Sequence, residues 1–258
     1  REVIIPEMQK YGVPMDEWYD KLGWYHTRAL RTSKMRYEFP SSIEDIINMT
    51  SDKRVFDEEI VNKQLENLLV GNKYRIITDN STGKIEAQKT DESPFTIFKT
   101  PYYGHRYRIA IDPITARSEE TDNFVMQVMD IETHEQVAVF RDRGLQDEDY
   151  ADWAVSIGMI YNKAELCPEV NVANGFIVAV NAHRYYHWYY QDKKAKADRI
   201  PGIRTTVSTK EHMIDALGTL LRRNNIIIHD EHTIEELSTF VKHVKKRPDG
   251  SSTVKMEA

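Results

Sequence analysis

Apolar and polar residues alternate along residues 105–113, where Tyr107, Ile109 and Ile111 stand against Arg108 and Ala110, and this period of two predicts a buried strand. Pro113 cannot continue a hydrogen-bonded ladder, so the strand is expected to stop at Asp112 with its carboxylate at the sheet's end. Residues 123–131 read as a second strand, and Glu132-Thr133-His134-Glu135 turns it into a third at 136–140, completing a meander. From Asp147 the period changes: Tyr150, Trp153, Ala154, Ile157 and Ile160 form one stripe of a helix, and its first turn holds three acids at the positive end of the dipole. Residues 165–169 predict a short strand ending in a second acid, Glu169. Residues 171–175 turn into a helix through Ile177, Val180 and His183, and the aromatic run 185–190 reads as an edge strand.

Further on, Ser208-Thr209-Lys210-Glu211 has capping-box spacing and predicts a helix burying Met213, Ile214, Leu217, Leu220 and Leu221. Residues 225–229 read as a strand, Asp230 opens a helix with Ile234, Leu237, Phe240 and Val241, and residues 247–250 turn into a strand at 253–256. Strands alternate with helices from 105 onward, which implies an α/β sheet flanked by helices.

The first hundred residues have a different texture. Trp18, Leu22 and Tyr25 at helical spacing predict a helix within 14–31, Ser41-Ser42-Ile43-Glu44 a capped short helix, and Asp57 the cap of a helix with Ile60, Leu65, Leu68 and Leu69, with residues 50–54 a loop between them. Residues 74–78 and 84–87 around Asp79-Asn80-Ser81-Thr82-Gly83 predict a hairpin. The expected organisation is therefore a mainly helical segment over 1–70, a β-rich connector over 71–104 and the α/β domain over 105–258. The chain begins at Arg1 without an initiator methionine and is expected to be a piece of something longer.

Composition narrows the class. No apolar run approaches the roughly 20 residues of a membrane span, and the one cysteine, Cys167, excludes an internal disulfide or a multi-cysteine zinc site. A soluble intracellular protein is expected. The net charge of −6 is unevenly spread, with 6 basic and 14 acidic residues over 101–180 against 14 basic and 10 acidic over 181–258. The acidic segment suits cations and the basic one phosphates, although a solvated surface explains the asymmetry equally well. No Gly-x-x-x-x-Gly-Lys-Ser/Thr occurs, so this chain has no phosphate-loop ATPase motif.

The candidate chemistry rests on Asp112 and Glu169, each closing a predicted strand. If those strands are neighbours, the two carboxylates converge and repel, and a divalent cation relieves the repulsion. Carboxylate oxygens suit Mg²⁺ or Mn²⁺, and two such ions about 3.5–4 Å apart would activate water and stabilise the leaving oxygen in phosphodiester cleavage. The alternative for either acid is a strand-end turn residue. His183, His187, His212 and His229 lack ligand spacing and are taken as structural or surface residues.

Several segments, in this order, resemble the large terminase subunit of tailed bacteriophages, the DNA-packaging motor. They are Tyr37-Glu38-Phe39-Pro40-Ser41-Ser42-Ile43-Glu44-Asp45, Ile111-Asp112-Pro113 with Thr121-Asp122-Asn123-Phe124, Leu166-Cys167-Pro168-Glu169-Val170-Asn171, and Thr205-Thr206-Val207-Ser208-Thr209-Lys210 with Met213-Ile214. The resemblance covers the end of the ATPase region, a linker and most of the nuclease domain. It implies a ribonuclease H-like mixed sheet and a metal-dependent endonuclease that cuts concatemeric double-stranded DNA. Asp112 and Glu169 are its expected catalytic metal ligands for Mg²⁺ or Mn²⁺.

The resemblance also makes Asp122 and Asn171 candidates for supporting positions around the metal, with surface turn residues as the alternative, and Lys210 a candidate contact to a DNA phosphate. The implied partners are double-stranded DNA, the portal protein and the small terminase subunit, with no membrane, in the host cell cytoplasm. Two departures stand out: Ile114-Thr115-Ala116-Arg117-Ser118 lacks the family's glycine-rich turn, and the family's third acid is expected beyond Ala258. A non-catalytic module that grips DNA or docks on the portal is the competing reading, and a transposase or junction resolvase of the same fold a third.

Overall fold

The computed structural model describes residues 53–79, 81–113, 123–171, 173–191, 199–246 and 252–257. The expected helix within 14–31, the capped helix at Ser41, Asp122, residues 114–118 and the turn at 247–250 lie outside the described residues. Two units result, residues up to Glu58 together with those from Glu235 onward, and Glu59–Ile234.

The first unit carries a three-stranded antiparallel sheet in which β1 (Lys53–Arg54) and the chain's last two strands, Val241–Lys246 and Ser252–Glu257, pair around a central Val241–Lys246. Lys53 and Arg54, expected in a loop, are thus a short edge strand. Beside it, Phe56 and Phe240 bring their rings to 5.8 Å.

The second unit opens with α1 (Glu58–Glu66), shorter than its apolar pattern suggested because Leu68 and Leu69 lie past its end. Then come β2 (Asn72–Thr78), β3 (Ile85–Lys89), β4 (Phe95–Ile97), β5 (Tyr107–Asp112), β6 (Phe124–Asp130), β7 (Glu135–Asp142), α2 (Asp147–Ile160), β8 (Glu165–Pro168), α3 (Asn174–Ala182), α4 (Val207–Arg222) and the start of α5 (Glu231–Thr239), whose residues from Glu235 belong to the first unit. Seven strands form one mixed sheet in the order β3-β2-β4-β7-β6-β5-β8, antiparallel except for the parallel pair β5 and β8. The stretch 71–104, expected as a connector, supplies three of those strands.

Burial follows from the sequence pattern. On β6, Phe124, Met126 and Val128 point into the core while the residues between them are half-buried. Residues Glu135 to Phe140 of β7 are buried throughout, because this central strand is covered on both faces. One cover is α2, whose Tyr150 stacks on Phe124 at 3.9 Å and whose Trp153 meets Phe140 at 5.0 Å. The other is the segment before α5, which the sequence suggested as a strand. It makes a single bridge, Ile227 to Glu135, and side chains take over the rest of its hydrogen bonding. Gln64 Oε1 accepts from the Ile228 N–H at 2.9 Å, and Gln136 Oε1 accepts from the His229 and Asp230 N–H groups, each at 2.8 Å.

At this end of the sheet the charges are matched. His229 Nδ1 accepts from the Leu69 N–H at 3.2 Å, so Nε2 carries the proton and donates to Glu135 Oε1 at 2.7 Å, and Lys99 Nζ donates to Glu135 Oε2 at 2.7 Å. Burial alone would push the Glu135 carboxyl up; Lys99 and His229 outweigh it and hold the group below its ordinary value. His229 is thus a structural residue. No helix of the described residues is long and apolar enough to cross a membrane.

Candidate metal centre

The site forms where β5 and β8 end together. Their parallel register places Arg108 beside Glu165, Ile109 beside Leu166, Ala110 beside Cys167 and Ile111 beside Pro168. The Glu169 N–H then donates to the Ile111 carbonyl at 3.0 Å, so the next step of the register sets Glu169 beside Asp112. Neighbouring strands lie about 4.8 Å apart, and laterally adjacent residues project from the same face. On β5 that face carries Arg108, Ala110 and Asp112, while Tyr107, Ile109 and Ile111 are buried. Asp112 is exposed and Glu169 half-buried.

Glu169 is held by its surroundings. Asn171 Nδ2 donates to Glu169 Oε1 at 3.1 Å and to the Thr205 carbonyl at 2.8 Å, which ties the acid to the chain entering α4. That chain is pinned in turn, since the Ile203 N–H donates to the Pro168 carbonyl at 2.9 Å and the Val170 N–H to the Ile203 carbonyl at 2.9 Å. Such close approach requires Gly202, where φ is +96° and a Cβ would collide with the Pro168 carbonyl oxygen. The aromatic run before it lies along β8 as expected of an edge, with the Leu166 N–H donating to the His187 carbonyl and the Tyr189 N–H to the Leu166 carbonyl.

The N-cap of helix α4 lies two residues before the expected one. Thr206 is the N-cap, with the Thr209 N–H donating to Thr206 Oγ1 at 3.2 Å and the Thr206 N–H to Thr209 Oγ1 at 2.7 Å. Its side toward Glu169 lines a cavity of about 360 Å³ bounded by Glu169, Thr205, Lys210, Met213, Ile214 and Leu217. Glu169, Asn171 and Lys210 therefore come together, with Asp112 on the adjoining strand. The sequence misassigned the apolar wall: of the five residues expected to be buried, only Leu221 is, whereas Met213 is 39% exposed and Ile214 and Leu217 are half-buried. The signal for the wall was the Met213-Ile214 pair within the segment resembling the terminases.

A third acid at this sheet end escaped the sequence reading. β7 finishes at Asp142, opposite Phe124 of β6, two strands from Asp112. Its Oδ1 is buried without a hydrogen-bond partner among the described residues, and burial raises its pKa. It does not complete a metal cluster, for no group of three or more His, Cys, Asp or Glu able to hold an ion occurs among the described residues. The donor set that does form, two carboxylates of like charge on adjoining strands, fits a hard oxygen-seeking cation.

No family model and no curated protein matches the chain. Solved structures do. The large terminase nuclease from thermophilic phage G20c with bound magnesium superposes with a TM-score of 0.56 at 15% identity, over 80% of this chain and 89% of that one. The same nuclease with bound cobalt gives a TM-score of 0.55 at 15% identity, over 80% and 87%. The Thermus phage P74-26 large terminase nuclease domain gives 0.51 at 15% identity, over 76% and 84%. At these identities the likeness establishes the fold: the chain has the ribonuclease H-like mixed sheet of the large terminase nucleases.

Proposed function

We propose that this chain is the metal-dependent endonuclease part of a viral DNA-packaging terminase, which cuts concatemeric double-stranded DNA in the host cytoplasm. The observation that carries the reading is the adjacency of Asp112 and Glu169 at the ends of two parallel strands, a like-charged pair that a protein keeps at an open edge to hold a cation. The fold shared with terminase nucleases, one of them magnesium-bound, supports it.

In this reading Asp112 and Glu169 are the ligands for Mg²⁺ or Mn²⁺. Bound there, two divalent ions would activate a water and stabilise the leaving oxygen of an in-line displacement. The second ion takes a further acid, which we place outside the described residues. Asn171 fixes the orientation of Glu169 through its bond to the Thr205 carbonyl, as partners behind metal ligands do. Lys210, in the first turn of α4, faces the DNA phosphate with the positive end of the helix behind it. The portal protein and the small terminase subunit are the assembly partners that go with this function.

Plasmid cleavage in Mn²⁺ by the wild type and by Asp112→Asn tests the reading. The wild type nicks and linearises DNA, and the variant loses cleavage while keeping its thermal midpoint. Equal cleavage by the two removes Asp112 from the chemistry, and no cleavage by either points to a module that only grips DNA.

A further inference from the structure

The cavity beside Glu169 has two chemically distinct sides. Glu169, the Thr205 segment and Lys210 form a polar side, and Met213, Ile214 and Leu217 form an apolar one on the next turns of α4. These three side chains recur at helical spacing with Lys210, so the groups facing a bound strand change from charged to hydrocarbon along one face of one helix. A wall of this kind is costly to leave on a surface unless something covers it, and it offers no donor and only the weak acceptor of the Met213 sulfur.

Building on the nuclease reading above, we propose that Met213, Ile214 and Leu217 are sugar-discriminating residues that favour a deoxyribose over a ribose at the cleaved strand. A phosphate held by Lys210 and the carboxylate edge carries a sugar on either side of it, and the α4 wall lines the same cavity as Lys210 and Glu169. Carbon-bound hydrogen at the 2′ position meets hydrocarbon at no cost. A 2′-hydroxyl placed there loses its water and gains at most a weak bond to the Met213 sulfur, since Ile214 and Leu217 have no polar atom to offer. Recognition of the 2′ position is the usual means of telling RNA from DNA, and here it works by exclusion. With Met213 39% exposed the hydroxyl keeps part of its hydration, so the expected discrimination is about tenfold, near the lower part of the range for an unsatisfied buried group.

The experiment uses the whole chain, Mn²⁺ and three duplexes of one sequence in which the labelled strand is all deoxy, all ribo or all 2′-fluoro, each paired with a deoxy complement. The ribo and 2′-fluoro strands share a sugar pucker and a duplex shape, but only the ribo strand carries a hydroxyl. The expected result is cleavage of the 2′-fluoro strand about tenfold faster than the ribo strand. Met213→Gln, which supplies an amide at the half-exposed edge of the wall, narrows that gap to about threefold or less. Deoxy cleavage with equal rates on the ribo and 2′-fluoro strands overturns the wall's role alone and leaves the nuclease reading standing, whereas no metal-dependent cleavage of the deoxy strand overturns both. A gap that Met213→Gln does not change also overturns the assignment, and circular dichroism with denaturant unfolding verifies that the variant is folded.

Discussion

Strands β5 and β8 carry two lateral pairs on one face, four positions apart, and nature has filled them oppositely. At one end Arg108 Nη2 donates to Glu165 Oε2 at 2.6 Å, and the guanidinium also lies 4.3 Å from the centre of the Tyr189 ring. At the other end the same register brings together Asp112 and Glu169, two carboxylates. Opposite charges on neighbouring strands stabilise a sheet by roughly 0.2–1 kcal/mol and like charges weaken it. A stability argument accounts for the first pair and speaks against the second. The second pair is the arrangement on which the proposed cation site rests, and the hydrogen bonds of Asn171 tie Glu169 to the chain entering α4.

The strongest way to break this comparison is to make the two pairs alike. Asp112→Arg converts the like-charged pair into a copy of Arg108 and Glu165. Metal-dependent cleavage is expected to fall by at least about a thousandfold, the scale of losing a group that acts as part of a catalytic unit. In the presence of a chelator the variant should be as stable as the wild type or more stable by up to about 1 kcal/mol, because it sets an opposite charge beside Glu169. Denaturant unfolding and plasmid cleavage on the same preparation measure both effects, and a stability loss above about 1 kcal/mol would show that Asp112 supports the fold.

Much of this geometry was legible because it is local. The alternation of Tyr107, Ile109 and Ile111 and the stop at Pro113 locate Asp112, and the short run before Glu169 locates its partner strand. What stayed hidden depends on residues distant in the chain. Ile226, Ile227 and Ile228 look like a strand, yet Gln64, some 160 residues earlier, bonds both the Ile226 carbonyl and the Ile228 N–H in place of a ladder. Met213, Ile214 and Leu217 have the spacing of a core face, and periodicity cannot tell a face that meets a core from one that meets a cleft. The cap of α4 slipped by two residues because Thr206 with Thr209 makes the same reciprocal bonds that Ser208 with Glu211 suggested. Asp142 was passed over because an acid at the end of a strand reads as a turn residue unless its burial is known.

The converse change sharpens the comparison at the other pair. Arg108→Glu places two carboxylates beside one another at the start of β8 and removes the stack on Tyr189. Because the Arg108 and Glu165 side chains are 34% and 48% exposed, solvent screens the pair. The loss of the ion pair, the ring contact and the added repulsion together should cost about 1–2 kcal/mol in a denaturant titration. Cleavage should stay within about twofold of wild type, since this pair has no counterpart of Asn171 or Lys210 among the described residues. A like-charged pair here that created a second metal response would mean that charge alone, without an aimed ligand and a cleft, makes the site.

Asp142 offers the smallest effect and the sharpest control, because it is an acid at the same sheet end whose disadvantage comes from burial and not from a neighbouring acid. Its Oδ1 is buried without a partner among the described residues, and its pKa stands above the ordinary carboxyl value of 3.8. The sign of the linkage follows from that direction. Below the unfolded-state pKa both states are protonated and the residue is neutral toward stability; as pH rises through the raised folded-state pKa, the unfolded state gives up its proton more readily and stability is lost. The penalty grows as pH rises from the ordinary carboxyl value through the raised folded-state one. Asp142→Asn keeps the shape and removes the charge, so it should raise the thermal midpoint at pH 7 by a few degrees and leave it nearly unchanged at pH 3. The gain should persist with or without Mg²⁺, in contrast to Asp112→Arg, whose stability gain over the wild type should shrink when metal relieves the wild type's own repulsion. Thermal unfolding of both variants at pH 3 and pH 7, with metal and with chelator, separates them. A metal-dependent gain for Asp142→Asn would place that carboxylate among the ligands with Asp112 and Glu169.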